Sequence, residues 1–283
     1  IALILAWLLL FFNIKKGYES MKKCILAAFP IFITLLISFL MYALTLDNAL
    51  QGVYSFLKPD LSALMSLSTW ANSFFMAILS LGLSFGVMQA VGRRGKGFIV
   101  GNSFIVVISE LIISIAIGLI LFSVLGFLSM RQETGIDKLI GIGFDFPFTV
   151  LAQALPFFYK PTLASILFFI LLSIFFVFGA ASLAYSITHV FVYKFKTKHV
   201  HAAIIVAGFG FLFGLLFLIK PGFYIMDIIS HFIFYNILIA ILLEIIAVGW
   251  FFDSERLAAF INQNSIMKIG KLWRFFIRYI IPP

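Results

Sequence analysis

The sequence predicts an all-α, polytopic transmembrane helix bundle, and three observations carry that reading. Hydrophobic residues form 63% of the 283-residue chain, charged residues only 11%, and the mean hydropathy is +1.17. A soluble domain carries about 25% charge. Apolar runs of about 20 residues recur along the chain between short polar clusters, which makes a helical bundle rather than a barrel. The lipid bilayer is thus the first partner implied.

Taken in order, the apolar spans cover roughly residues 1–13, 24–46, 68–92, 98–128, 162–193, 200–220 and 224–251, and another begins near 275. The first, "IALILAWLLLFF", has no initial methionine and is too short to cross a ~30 Å core. It also lacks the basic n-region and small-residue cleavage site of a signal peptide. The last stretch, "RFFIRYIIPP", stops as a span opens, so both ends read as cut from a longer protein. Residues 1–283 read as a single transmembrane domain.

The net charge of +9 would suit nucleic acid, but its distribution points to topology instead. Fifteen of the 20 Lys and Arg fall in alternate loops: Lys15, Lys16, Lys22 and Lys23; Arg93, Arg94 and Lys96; Lys194, Lys196 and Lys198; Arg256, Lys268, Lys271, Arg274 and Arg278. The intervening loops hold Lys58, Arg131, Lys138, Lys160 and Lys220 with Asp47, Asp60, Glu133, Asp137, Asp145 and Asp227. Basic loops stay in the cytoplasm, so the second span runs from inside to outside and no nucleic-acid partner is implied.

Little else suggests chemistry. Cys24 is alone, which excludes a disulfide within the chain. His199 and His201 form the only close histidine pair, without further ligands at metal-site spacing. No nucleophile–base pair marks an intramembrane enzyme. Two carboxylates stand out: Glu110 in "VVISELIISIAIG" and Glu244 in "ILIAILLEIIAVGW". A carboxylate near a bilayer centre costs about 2.5–3.5 kcal/mol on insertion scales, so such groups face the bundle interior. Each reads either as a hydrogen-bonded interhelical tie or as part of a proton or cation pathway. The lack of a basic partner within its own span favours the tie.

Two further stretches depart from plain spans. "SLGLSFG", Ser80–Gly86, places two glycines and two hydroxyls in the middle of span 68–92. Glycine costs a helix interior about 0.8–1 kcal/mol relative to alanine, so the run reads as a break or as a close packing interface. Residues 129–161 form a long connection punctuated by Gly141, Gly143, Pro147, Pro156 and Pro161. Its piece "FDFPFTVLAQALPFFY" is too apolar to stay in water, so it is expected to pack on the bundle's outer mouth.

These landmarks resemble the neurotransmitter:sodium symporter family, of the leucine-transporter type. Trp70–Gly86, "WANSFFMAILSLGLSFG", resembles the family's unwound sixth helix, with Phe85-Gly86 on its Phe-Gly. "GFDFPFTVLAQALPF" is similar to its fourth external loop. The stretch from "YIMDIISHFIFYNILIAILLEIIAVGW" to "RFFIRYIIPP" resembles the tenth helix, an amphipathic cytoplasmic segment and the entry to the eleventh. The resemblance covers nearly the whole chain, from the fourth helix to the start of the eleventh. It implies a leucine-transporter-like inverted-repeat fold lacking its first three helices, with the site between two broken helices.

The resemblance also implies roles. Leu79, Ser80, Gly82, Phe85 and Tyr185 fall at substrate-contacting positions, with Tyr185 opposite Phe85. Ser80 and Ser109 fall at the first sodium site, where the serine at 109 replaces a family asparagine; serine still offers an oxygen to a hard cation. Val177, Ala181 and Ser182 fall at the second sodium site. There Ala180 and Ala181 replace an expected hydroxyl pair, and Ser182 stands one position late. Ile113 gives chloride dependence no support, and Asp227 aligns with an external-gate aspartate. The implied function is sodium-coupled symport of a small amino acid or related zwitterion by alternating access. Sodium is the required ion, and no organic cofactor is implied. A proton-driven or single-sodium transporter, and a non-transporting scaffold or receptor, stay open as alternatives.

The charge pattern generates the first test. A cysteine introduced at Lys196 should resist membrane-impermeant labelling of intact cells, and efficient labelling would invert the topology.

Overall fold

The computed structural model describes residues 2–83, 85–92, 98–141 and 146–281, apart from the side chains of Gln89, Phe223 and Phe234. Ser84, Arg93, Arg94, Lys96, Gly143 and Asp145, all used in the sequence reading, lie outside the described residues. Every regular element among the described residues is helical. They are α1 (Ala2–Ile14), α2 (Tyr18–Leu44), α3 (Ala49–Leu57), α4 (Leu67–Ser80), α5 (Val87–Gly92), α6 (Ile99–Arg131), α7 (Ile136–Leu139), α8 (Phe146–Ala154), α9 (Pro161–Phe195), α10 (His199–Gly214), α11 (Gly222–Ile246), α12 (Ser254–Gln263) and α13 (Lys271–Phe275). Among the described residues, five stretches are long and apolar enough to cross a membrane: Tyr18–Leu44, Ile99–Arg131, Pro161–Phe195, His199–Leu218 and Tyr224–Phe251. The large side chains left exposed on them are those that a bilayer would solvate.

The residues form two compact units. The first comprises Ile1–Lys22, Ala71–Ile108 and Gly179–Pro283; the second comprises Lys23–Trp70 and Ser109–Phe178.

In the first unit α1 lies along α10, where two glycines make room for one tryptophan. A Cβ at Gly210 would stand 1.9 Å from the Trp7 ring, and one at Gly214 would stand 3.2 Å from its Nε1. Close backbone approach of this kind replaces the hydrophobic effect, which lipid cannot supply between helices. The start of α6 is capped from far along the chain. Ile99 N–H donates to Asn264 O at 3.1 Å, and Val100 N–H donates to Ser265 Oγ at 3.1 Å. After α11 the chain widens into a π-helical turn over Ala247–Phe251, and Arg278 Nε donates to Gly249 O at 2.7 Å. Arg278 Nη2 also reaches Ser254 Oγ at 3.0 Å, so this member of the basic clusters has a structural task besides its charge. Asp253 caps α12 by accepting from the Glu255 and Arg256 amides.

The second unit holds the larger core. Phe32, Leu36 and Ala43 of α2 meet Val124 and Leu125 of α6, Val150 of α8 and Phe168 of α9. The stretch after α6 packs on this core, with Ala154 fully buried and Leu155 and Phe158 nearly so. Tyr159 N–H donates to Tyr42 Oη at 2.8 Å, and the Arg131 guanidinium lies 5.4 and 5.2 Å from the Phe127 and Phe157 ring centres. Outside the spans, Asp60 accepts from Ser62 Oγ at 2.5 Å and Ser62 N–H at 3.0 Å, which holds its carboxyl below the usual carboxylate value.

The tightest crossing in this unit is α3 on α6. A Cβ at Gly52 would stand 1.8 Å from Phe122 O, and one at Gly126 would stand 2.5 Å from Asn48 O. Asn48 adopts φ 60° and donates Nδ2–H to Gly126 O at 3.0 Å, which pins the entry to α3. Gly52→Ala should therefore lower stability by about 1–3 kcal/mol, the cost of overpacking. Gly101→Ala on α6, where a Cβ meets nothing within 4 Å, should be neutral or stabilising. Thermal unfolding of the two detergent-solubilised variants separates these outcomes.

Candidate functional site

The span that the sequence singled out is broken where its glycines fall. α4 ends at Ser80 and α5 begins at Val87. At 1.5 Å per residue the two pieces are about 21 and about 9 Å long, so neither crosses a bilayer alone. The end of α4 is closed by a Schellman motif. Gly82 N–H donates to Leu79 O at 3.1 Å, and Leu83 N–H donates to Ile78 O at 3.1 Å. That closure needs a left-handed residue, and Gly82 has φ +63°. Gly86, with φ +72°, makes the second bend, and its carbonyl accepts from Ala90 N–H at 3.0 Å as α5 starts. The glycines therefore end one helix and start the next.

The break lies between two hollows within the first unit. One, of about 550 Å³, is bounded by Phe74, Ile78, Leu81, Gly82, Ile241 and Glu244 among others. Glu244 is the one charged residue among its described lining, so the structure brings Gly82 and Glu244 to a common cavity. Leu79 and Phe85 pack beside it on a small cluster formed by Ile78 with Ile237 and Ile241 of α11. The second hollow, of about 520 Å³, is bounded by Phe85, Gly86, Ser186, His189, Tyr193 and Lys194, and is the more polar of the two.

The remaining sequence-derived residues are placed as follows. Ser80 is exposed, and its hydroxyl donates to Ala77 O at 3.2 Å. This back-bond occupies its proton and leaves oxygen lone pairs for a cation. Ser109 is exposed on α6. The half-buried Glu110 accepts from Ser114 Oγ at 2.6 Å, one helical turn along. Along the unbroken α9, Val177 and Ser182 are half-buried, while Ala181 and Tyr185 are fully buried. Asp227 is exposed near the start of α11, and its backbone carbonyl accepts from Ser230 Oγ at 3.2 Å. Among the described residues no group of three His, Cys, Asp or Glu could hold a metal ion.

Two residues escaped the sequence reading. Ser114 was accessible through the i,i+4 rule applied to Glu110. Ser186, next to Tyr185, is buried, and its hydroxyl lies 3.1 Å from Phe85 O. The signal for it was the run of small or hydroxyl residues at Ala181, Ala184 and Thr188, which form the buried face of α9.

The left-handed closure is directly testable. A Cβ at Gly82 meets nothing within 4 Å, so Gly82→Ala should be costly through φ alone, by about 1–2 kcal/mol. Gly82→Asn should recover part of that loss, because asparagine tolerates this region; comparison of unfolding midpoints reads both.

Comparison with known proteins is consistent over the full chain. The profile of the sodium:neurotransmitter symporter family matches residues 1–283. An uncharacterised sodium-dependent transporter of Methanocaldococcus jannaschii is 29% identical over 97% of this chain and 56% of its own length. A sodium-dependent nutrient amino acid transporter of Drosophila grimshawi is 26% identical over 97% of this chain and 44% of its own. The sodium-dependent dopamine transporter of Bos taurus is 23% identical over 99% and 41%. The chain thus spans about half the length of the curated relatives it matches.

Proposed function

The chain belongs to the sodium:neurotransmitter symporter family, and from that membership we propose that this multi-pass membrane protein is a secondary active, sodium-coupled symporter of a small amino acid or related zwitterion, working by alternating access. The observation that carries the proposal is the break itself: a Schellman-closed helix end in the middle of an apolar stretch, opening onto two cavities. Carbonyls at a helix end carry partial negative charge and suit a cation. Irregular backbone within a membrane is tolerated where it lines a cavity. The relatives' names support the substrate class, since both amino acids and dopamine carry an amine.

Ser80 and Ser109 are proposed as oxygen donors to the first sodium. Val177, Ala181 and Ser182 are proposed for a second, which would have to rely on backbone carbonyls and the single serine hydroxyl. Asp227 is proposed as an external gate residue.

Glu244 favours a second reading. It is a carboxylate facing a cavity beside the break, as a proton-driven transporter would require. Uptake of radiolabelled amino acids into proteoliposomes containing the full-length protein decides between the two. An inward sodium gradient should drive uptake. Ser80→Ala and Ser109→Ala should each raise the sodium concentration for half-maximal activation on the order of tenfold, equivalent to ~1.4 kcal/mol. Uptake driven by a proton gradient and abolished in Glu244→Gln would establish the second reading. No uptake under either gradient would make the protein a non-transporting relative.

A further inference from the structure

We propose that the Ser186 hydroxyl is a two-position tether on the break: a positioning residue that holds the Phe85–Gly86 backbone against α9 and can release it without losing its own hydrogen bond. The proposal deepens the transport reading and rests on it for its functional meaning; the tether itself stands on geometry.

Ser186 is 5% exposed and has two acceptors within reach. Leu183 O, one turn back in α9, lies at 2.7 Å, and Phe85 O, in the linker between α4 and α5, lies at 3.1 Å. A hydroxyl has one proton, so the two carbonyls share it or take it in turn. Leu183 belongs to an unbroken helix and stays in place, whereas Phe85 lies between the two bends of the break. Gly86 brings the linker close: a Cβ there would stand 3.8 Å from Ser186 Cβ.

This arrangement separates holding from releasing. A carbonyl outside regular helix needs a donor, and Ser186 supplies one to Phe85. If the linker moves away, the serine proton falls wholly to Leu183 O, a back-bond common for serine in apolar helices. Only the Phe85 carbonyl must then find a new partner, and it already borders the more polar hollow with His189 and Tyr193. Alanine at 186 would keep the packing and lose the hold. Threonine would keep both acceptors within reach of a hydroxyl.

Hydrogen–deuterium exchange on the reconstituted full-length protein tests this without reference to transport. In Ser186→Ala the amides of residues 85–90 should exchange about fivefold faster, the factor expected for one neutral hydrogen bond. Exchange elsewhere in α9 and in α11 should be unchanged, and Ser186→Thr should match the parent protein. Ser165→Ala, which removes a back-bond of the same kind to Pro161 O at 2.8 Å, should leave residues 85–90 unaffected. Parental exchange at 85–90 in Ser186→Ala would overturn the tether. Acceleration spread evenly over α9 and α11 would overturn it too, since that is loss of global stability. A tether seen by exchange in a protein that shows no ion-driven uptake would stand while the transport reading fell.

Discussion

The structure depends on one constraint: backbone N–H and C=O groups have no water to bond in hydrocarbon, so each must find a partner in the protein. Continuous helix satisfies this automatically, which is why five apolar stretches of 20 residues or more dominate the described residues. Every interruption then requires a specific remedy. The end of α4 is closed by its own linker amides, and the π turn after α11 receives Arg278. These are different chemistries answering the same need.

Packing follows a second rule that comes from the same medium. Helices gain nothing by hiding leucine from lipid, so attachment relies on close contact and on a few polar bonds. Gly52 and Gly126 let two backbones touch in the second unit, and Gly210 and Gly214 receive Trp7 in the first. The stretch after α6 is held differently, by ring contacts and a guanidinium lying near two phenylalanines. Its apolar side chains are buried on α2, α6 and α9, which explains why so greasy a connection is tolerated between helices.

The break in α4–α5 is where both rules meet function. Gly82 and Gly86 permit φ values that end a helix cleanly, so the linker is shaped rather than merely weak. One side of it borders an apolar hollow that contains Glu244, and the other borders a more polar hollow along α9. A segment placed between two cavities and joined to a neighbouring helix by one hydroxyl is suited to being held in some states and freed in others.

The sequence alone determined the class and the family, because each is encoded locally; the run Ser80–Gly86 by itself left a break and a close packing interface open, and the resemblance favoured the break. Hydropathy is a sum over neighbours, a glycine pair weakens a helix wherever it sits, and the Trp70-to-Gly86 pattern is contiguous. Their apolar surroundings led to the expectation that Glu110 and Glu244 face the interior, whereas Glu110 is half-buried and Glu244 is exposed at the edge of a hollow. Only the tertiary structure decided which group answers which. Ser186 meets Phe85 across 101 residues, and Ser265 caps Val100 across 165. Nothing in the local context of Ser186 distinguishes it from Ser165, which back-bonds to Pro161 O in its own helix. A hydroxyl can satisfy itself within one helical turn, so its use across the fold depends on whether another backbone, brought close by glycine, needs a donor there.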